Sequence, residues 1–209
     1  MPSRQNQVLL ESAADQWLLR NKSQLGQRDP ITDMIHEVGL KPTSVLEIGC
    51  SNGWRLKKLK EEFRCSVTGI EPSLDGVMEA MESGVDVIRG TANELPFEDS
   101  EFDLVIFGFC LYFCEPQDLF KIVAEADRVL KDNSYLMIWD FLSPKPFKRV
   151  YSHDKEVWSY HFEPSKLWLA HPGYHKAHEK FYPHNFECVS LLYKHMETAF
   201  PAEIPEVET

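Results

Sequence analysis

Between residues 44 and 140 the chain alternates, with short aliphatic and β-branched runs at Ser44 to Ile48, Ser66 to Glu71, Val85 to Arg89, Phe102 to Gly108 and Tyr135 to Asp140. Three of the four gaps between these runs, all but residues 90–101, are filled by segments with apolar residues at helical spacing. Strands separated by whole helices cannot pair as hairpins. Each helix carries the chain back over the sheet, so neighbouring strands run parallel and helices cover both faces. This alternation excludes an all-helical bundle and an all-β barrel before any single residue is considered.

The helices carry their own punctuation. Ile31, Met34, Ile35 and Val38 repeat at helical spacing behind Asp29 as N-cap and Pro30 at the first helical position, and Gly39 closes the segment. Trp54 to Phe63 turns Leu56, Leu59 and Phe63 inward, and Ser73 caps a helix that runs to Met81 and ends at Gly84. Leu119, Val123, Ala126 and Leu130 mark one face of a further helix, ending before Asp132 and Asn133. Beyond strand five the pattern loosens. A short helix is expected near Ser165 to Ala170, with strands at His175 to Tyr182 and Glu187 to Tyr193 as an antiparallel pair. With 209 residues and 43% hydrophobic content, one substantial core and one domain are expected.

Composition narrows the partners. The formal charge of −11 arises from 33 acids and 22 bases mixed along the chain. That is no surface for tracking phosphates, so nucleic acid is not an expected partner. The longest apolar run, Leu104 to Cys114, falls far short of the roughly 20 residues that span a bilayer, and Met1 to Gln7 does not read as a secretory leader. A cytoplasmic protein, monomer or homodimer, without membrane contact is expected. Cys50, Cys65, Cys110, Cys114 and Cys188 are odd in number and lack C-x-x-C spacing, which favours buried free thiols over disulfides or zinc. His175 and His178 are too few to hold a metal by themselves, and no metal site is expected.

Glu47-Ile48-Gly49-Cys50-Ser51-Asn52-Gly53 lies where strand one hands over to its helix. Open α/β sheets bind ligands at such positions, beyond the carboxyl ends of their strands. Gly49 and Gly53 allow a sharp turn and a close approach. Glu71 stands at the end of strand two, 24 residues after Glu47, where a carboxylate accepts both hydroxyls of a ribose. A dinucleotide or an adenosyl group satisfies these features equally. Glu47 separates them, because a carboxylate there repels a pyrophosphate and suits the ammonium of a methionyl tail. S-adenosylmethionine, which has no phosphate, is the favoured ligand.

With these residues in place, the chain resembles the class I S-adenosylmethionine-dependent methyltransferases over roughly residues 40 to 142. Val45 to Gly53 is similar to their first motif and Thr68-Gly69-Ile70-Glu71-Pro72-Ser73 to their second. Gly90 to Phe97 with Phe102-Asp103-Leu104-Val105 resembles the segment that holds the adenine, and Arg128-Val129-Leu130-Lys131 the end of the helix before strand five. The chain departs from the pattern at Ser51, where a glycine is usual, and at Thr91 and Asn93, where acids are common. The resemblance implies a Rossmann-like three-layer α/β sandwich: a mostly parallel seven-stranded sheet with an antiparallel last strand and helices on both faces. It places Glu47, Gly49, Cys50 and Gly53 at the methionyl end, Glu71 and Pro72 at the ribose, Thr91, Ala92 and Asn93 at the adenine, and Phe107 or Phe109 beside the sulfonium.

Methyl transfer is an in-line displacement, so alignment dominates and a hydroxyl acceptor also needs a base. The loop after strand four (Phe109 to Phe113) and Asp140, Lys145, Lys148 and Arg149 after strand five are expected to face the methyl group. The segment 144–174 is rich in aromatics and histidines, a mixture suited to an oxygen-rich small acceptor. His153 and then His161 are the candidate bases, with Tyr112 as a positioning group. Trp17 to Asn21, together with 151–174, is similar to a bacterial subgroup linked to surface-polysaccharide and sugar pathways. That resemblance implies an N-terminal helical lid over 1–28 with Arg20 near the methionyl carboxylate, a cofactor-binding core at 40–142, a substrate-side insertion at 144–174 and a disordered tail at 197–209. The expected activity is methyl transfer to a hydroxyl or amine of a small molecule, including sugar-derived metabolites. An NAD-dependent oxidoreductase and a non-catalytic cofactor-binding subunit that docks a partner protein are the alternatives.

Overall fold

A computed structural model describes residues 4–196 of the chain; the expected tail at 197–209 lies outside the described residues. The expected helix α3 (Pro30–Val38) forms with Asp29 at its N-cap, whose side chain accepts from the Thr32 N–H, and Gly39 ends it in the left-handed region at φ 70°. It follows α1 (Arg4–Val8) and α2 (Ala14–Asn21), which a single π-helical turn, Leu9–Ala13, joins into one N-terminal helix.

The alternation then plays out as β1 (Ser44–Ile48), α4 (Trp54–Phe63), β2 (Ser66–Glu71), α5 (Leu74–Glu82), β3 (Asp86–Arg89), β4 (Phe102–Gly108), α6 (Leu119–Val129) and β5 (Leu130–Phe141). The seven-stranded sheet has the order β3-β2-β1-β4-β5-β9-β8. β1 to β5 pair in parallel. The last strand, β9 (Glu187–Lys194), slots between β5 and β8 (Tyr174–Tyr182), antiparallel to both.

Residue parity along each strand divides the core into two layers. Val45, Val67, Leu104, Ile106, Met137 and Val189 face α3, α4 and α5, while Leu46, Ile48, Ile70, Val105, Phe107 and Leu192 face α6 and the short helix α7 (Lys166–Leu169). Strands buried on both faces read as continuous apolar runs for this reason. On α6 the buried stripe runs through Ile122, Ala126 and Val129, one position round from the stripe read off the sequence, because Leu130 already belongs to β5.

The region expected to be irregular contains regular structure. Phe147–Tyr151 (β6) and Asp154–His161 (β7) form an antiparallel hairpin outside the main sheet. Its strands mix charged, polar and aromatic residues and β6 is almost wholly exposed, so no apolar periodicity announced it. Gln5 fastens this hairpin to the N-terminal helix. Its side-chain amide donates to the Trp158 carbonyl and accepts from the Trp158 N–H, both at 2.9 Å, and donates at 2.5 Å to the Phe113 carbonyl.

Candidate active site

The carboxyl ends of β1, β2 and β4 lie side by side, since Ile48 is in register with both Ile70 and Phe107. Strand order reverses at β1, where the chain crosses to β4, and the loops diverge there to leave a crevice. A cavity occupies it. Gly49, Glu71, Pro72, Thr91 and Ala92 line one side, Phe109, Cys110, Phe113 and Cys114 another, and Asn6, Leu9, Ala13, Ala14 and Trp17 of the N-terminal helix close over it with Tyr151 and Val157 of the hairpin. The π-helical turn falls where that helix lines the cavity.

Glu71 is the cavity's charged wall. It is only 6% exposed, and its two carboxylate oxygens accept from the Ser51 N–H at 2.7 Å and the Ser73 N–H at 2.9 Å. Burial raises its pKa to about 7 against the opposing effect of those two N–H groups. Gly49 is required twice over. Its φ is 74°, and a Cβ there would stand 2.6 Å from the Cys110 Cβ.

Other expected site residues take different places. Gly53, at φ 70°, is a packing glycine, since an added Cβ would meet the Ala80 Cβ of α5 at 2.9 Å. Cys50 is buried, its sulfur sitting where a Cβ on Gly69 would fall. Asn93 accepts from the Thr91 hydroxyl at 2.6 Å and does not line the cavity. Phe107 packs in the layer of α6 and α7, its ring 5.4 Å from Trp168, and does not line the cavity, whereas Phe109 does. Phe109 does so from a left-handed backbone at φ 64°, its N–H donating to the Trp139 carbonyl at 2.7 Å.

Glu47 is wholly buried in an ion cluster instead of standing at the rim. One of its oxygens accepts from Arg55, whose Nε also donates to Asp29 at 2.9 Å. Burial pushes the Glu47 carboxyl up, and Arg55 only partly opposes this. For Asp29, Arg55 and the Thr32 hydrogen bonds outweigh burial and hold the carboxyl down. Arg20 lies with its guanidinium 5.8 Å from the Tyr151 ring centre.

The candidate acid–base groups also part company. His153 occupies the exposed turn of the hairpin and does not line the cavity; its ring centre lies 5.3 Å from that of Tyr151. His161 is buried beside a second cavity, stacked on Phe147. Tyr112 is buried beneath the cavity wall, and burial drives its hydroxyl well above its usual range. Asp140, at the end of β5, accepts from the Tyr112 N–H at 3.2 Å and so holds the turn Leu111–Phe113 in place. Burial lifts the Asp140 carboxyl to about 7.

Sequence reading had no signal for Gln5 and Asn6, which are buried polar residues on the N-terminal helix. Among the described residues no group of three His, Cys, Asp or Glu is placed to hold a metal ion, and no helix is long and apolar enough to cross a membrane.

A seven-stranded sheet with this order, and a carboxylate-walled cavity beyond strands one, two and four, define a Rossmann-like nucleoside-binding domain. Residues 46–138 match the family described as a methyltransferase domain. A demethylmenaquinone methyltransferase from Listeria welshimeri is 30% identical over 175 residues, which cover 73% of each chain. The chain belongs to the class I S-adenosylmethionine-dependent methyltransferases. A phthiotriol/phenolphthiotriol dimycocerosates methyltransferase from Mycobacterium ulcerans is 32% identical over 108 residues, 49% of this chain and 39% of that one. This protein spans less than half the length of several curated relatives it matches, 36% in the case of a fatty-acid O-methyltransferase from Mycolicibacterium smegmatis. The fold is shared with the Burkholderia thailandensis 1,6-didemethyltoxoflavin-N1-methyltransferase, solved with its acceptor and S-adenosylhomocysteine, at TM-score 0.71 and 16% identity over 93% of this chain and 92% of that one.

Proposed function

We propose that the protein binds S-adenosylmethionine in the first cavity and transfers its methyl group to a hydroxyl or amine of a small molecule. The observation that carries this reading is the buried Glu71 carboxylate facing the cavity from the tip of β2. Its two backbone donors fix its orientation, so it is presented to the ribose hydroxyls without further rearrangement.

Unpartnered atoms support the methionyl end. Among the described residues, Glu47 Oε2, Ser51 Oγ, Asn52 Oδ1 and Arg20 Nε are buried and lack a hydrogen-bond partner in the protein. Buried polar groups are normally satisfied, and this set, which lies outside the cavity lining itself, holds acceptors suited to an ammonium and a donor suited to a carboxylate. Glu47 and Arg20 therefore keep their proposed roles, Glu47 through its second oxygen while Arg55 holds the first. Thr91 and Ala92 would flank the adenine, with Asn93 orienting Thr91. Pro72 would sit beneath the ribose, and Gly49 and Phe109 beside the sulfur.

When bound, the cofactor supplies an electrophilic methyl group on a sulfonium. The protein's contribution is to close the N-terminal helix over it, to exclude water with Trp17, Phe113 and Tyr151, and to align the acceptor. The cavity lining holds neither histidine nor lysine, and this favours acceptors that arrive already nucleophilic. A sugar-derived acceptor gains little from the rings of 144–174, because Trp168 is fully buried and Trp158 is covered by Lys148 at 4.5 Å.

Calorimetry with S-adenosylhomocysteine tests the binding, and label transfer from radioactive S-adenosylmethionine into small-molecule extracts tests the chemistry. Micromolar binding with transfer is expected. Binding without transfer to any extract component would favour the non-catalytic reading, and no binding would end the proposal.

A further inference from the structure

The N-terminal helix crosses the first cavity and is fastened on both sides of it. On the α2 side the partners belong to α5 and its cap. Asp15 accepts from the Ser73 hydroxyl at 2.6 Å and the Asp75 N–H at 3.2 Å, and Lys22 pairs with Glu79 at 2.7 Å. Arg89, at the end of β3, donates to the Leu10 carbonyl, so this held part begins within the π-helical turn Leu9–Ala13. On the α1 side the Gln5 N–H donates to Glu115 and the Asn6 amide to Asp118, both at 3.2 Å, and Arg4 meets Glu156 in an exposed pair of little weight. The principal fastening there is the Gln5 side chain, only 3% exposed.

β7 pairs with β6 alone, so the backbone groups on its other edge have no strand to meet. At Trp158 the Gln5 amide takes the place of a strand residue, donating to the carbonyl and accepting from the N–H, and its remaining N–H goes to the Phe113 carbonyl. An amide has two donor hydrogens and one acceptor oxygen, so one side chain satisfies all three backbone groups. Each of the segments it joins is a cavity wall. Phe113 lines the cavity, Val157 precedes Trp158, and Leu9 follows one turn after Gln5. Water can replace the amide at all three groups once the segment lifts, which keeps the net loss on parting small enough for the contact to open and close.

We propose that Gln5 is a positioning residue that latches the cavity: its three bonds hold α1 down against the hairpin and the turn after β4, and cofactor enters and product leaves when they part and α1 swings on the π-helical turn. The proposal rests on the first cavity being the cofactor site. A helix whose hydrogen-bond ladder changes step over the cavity, held firmly to α5 beyond that step, has its hinge in the place such a motion needs.

The test follows S-adenosylhomocysteine binding to the full chain by stopped-flow fluorescence, with Trp17 of the cavity lining as reporter. Q5L keeps the bulk of the side chain and removes its donors and acceptor. It is expected to raise the association and dissociation rate constants together, each by about fivefold or more, and to leave Kd within about threefold of the parent. A purely structural role would not speed association, so an association rate that is unchanged or slower would overturn the proposal. The unmodified protein supplies a second measurement, whether or not Q5L folds. The Trp158 N–H, held by Gln5, should exchange with deuterium about tenfold more slowly when S-adenosylhomocysteine saturates the protein. Exchange at Trp158 that the ligand leaves unchanged would equally overturn the latch. Failure of the parent to bind S-adenosylhomocysteine would instead remove the cofactor site itself, and the latch with it.

Discussion

The loops after β1 and β4 turn the chain sharply at the same edge of the sheet, but by opposite means. After β1 two of the three left-handed positions are glycines, Gly49 and Gly53, at φ 74° and 70°, and the third is the small Ser51, at φ 54°. After β4 the tight position is Phe109, held at φ 64° by its N–H bond to Trp139 and by ring contacts to Tyr112, Trp139 and Phe141 between 4.8 and 5.7 Å. In the first loop the backbone packs closely against Cys110 and Ala80 because no Cβ intervenes at Gly49 and Gly53. In the second, packing forces a ring into the cavity wall from a backbone that the residue itself disfavours. The glycine turn is inexpensive and general, and the aromatic one is a strained device for placing one side chain.

If that distinction holds, Gly49→Val is the most damaging single change. It combines a disfavoured φ with a clash against the Cys110 Cβ, and S-adenosylhomocysteine binding is expected to fall by more than about a hundredfold by calorimetry. Binding within tenfold of the parent would show that the loop does not approach the ligand.

Glu71→Gln is expected to weaken binding by about 10- to 100-fold, through loss of charge-assisted hydrogen bonds. The same variant carries a signature in pH. Because the Glu71 pKa is raised from 4.5 to about 7 by burial, its stabilising contribution is complete below pH 4.5 and is lost as pH climbs through about 7. The stability of the ligand-free parent relative to Glu71→Gln should therefore fall across that interval, by up to ~3 kcal/mol in urea titrations. A flat difference would mean the carboxylate is well solvated.

Phe109 offers a finer contrast. Both Phe109→Ala and Phe109→Gly remove the ring, but only glycine relaxes the backbone, so the glycine variant should be the more stable by about 1 kcal/mol, the reverse of the order in ordinary structure. Equal or opposite stabilities would deny the strain. The smallest effect is expected at His153. Its Ala variant should leave thermal stability within ~0.5 kcal/mol and methyl transfer unchanged, since the side chain is exposed on the hairpin turn. Slowed transfer with intact cofactor binding would return His153 to the list of bases.

Much of this was legible before any coordinates. The five parallel strands, the caps at Asp29 and Ser73, and the paired acids of the cofactor motifs all announce themselves, because period, capping and glycine placement are local properties. Glu71 was placed by position alone and lines the cavity. Glu47 shows the limit, because an acid at the right offset gave no hint that Arg55, eight residues on, would claim one of its oxygens. The hairpin β6–β7 escaped notice because both of its faces carry charges and rings, and the choice between Phe107 and Phe109 turned on a backbone angle that no residue type specifies.

By itself, then, the order of residues determined the sheet, its parallel sense, the glycine turn and the kind of nucleoside it suits, since each follows from side-chain period or from the absence of a Cβ. Tertiary structure alone decided which acid is free and which is paired, which histidine is buried, and that the Gln5 amide joins the N-terminal helix to the hairpin. Those outcomes depend on contacts between residues as far apart as Gln5 and Trp158 or Phe109 and Phe141. Such contacts form only once the packing of the whole chain sets which distant groups share a desolvated space.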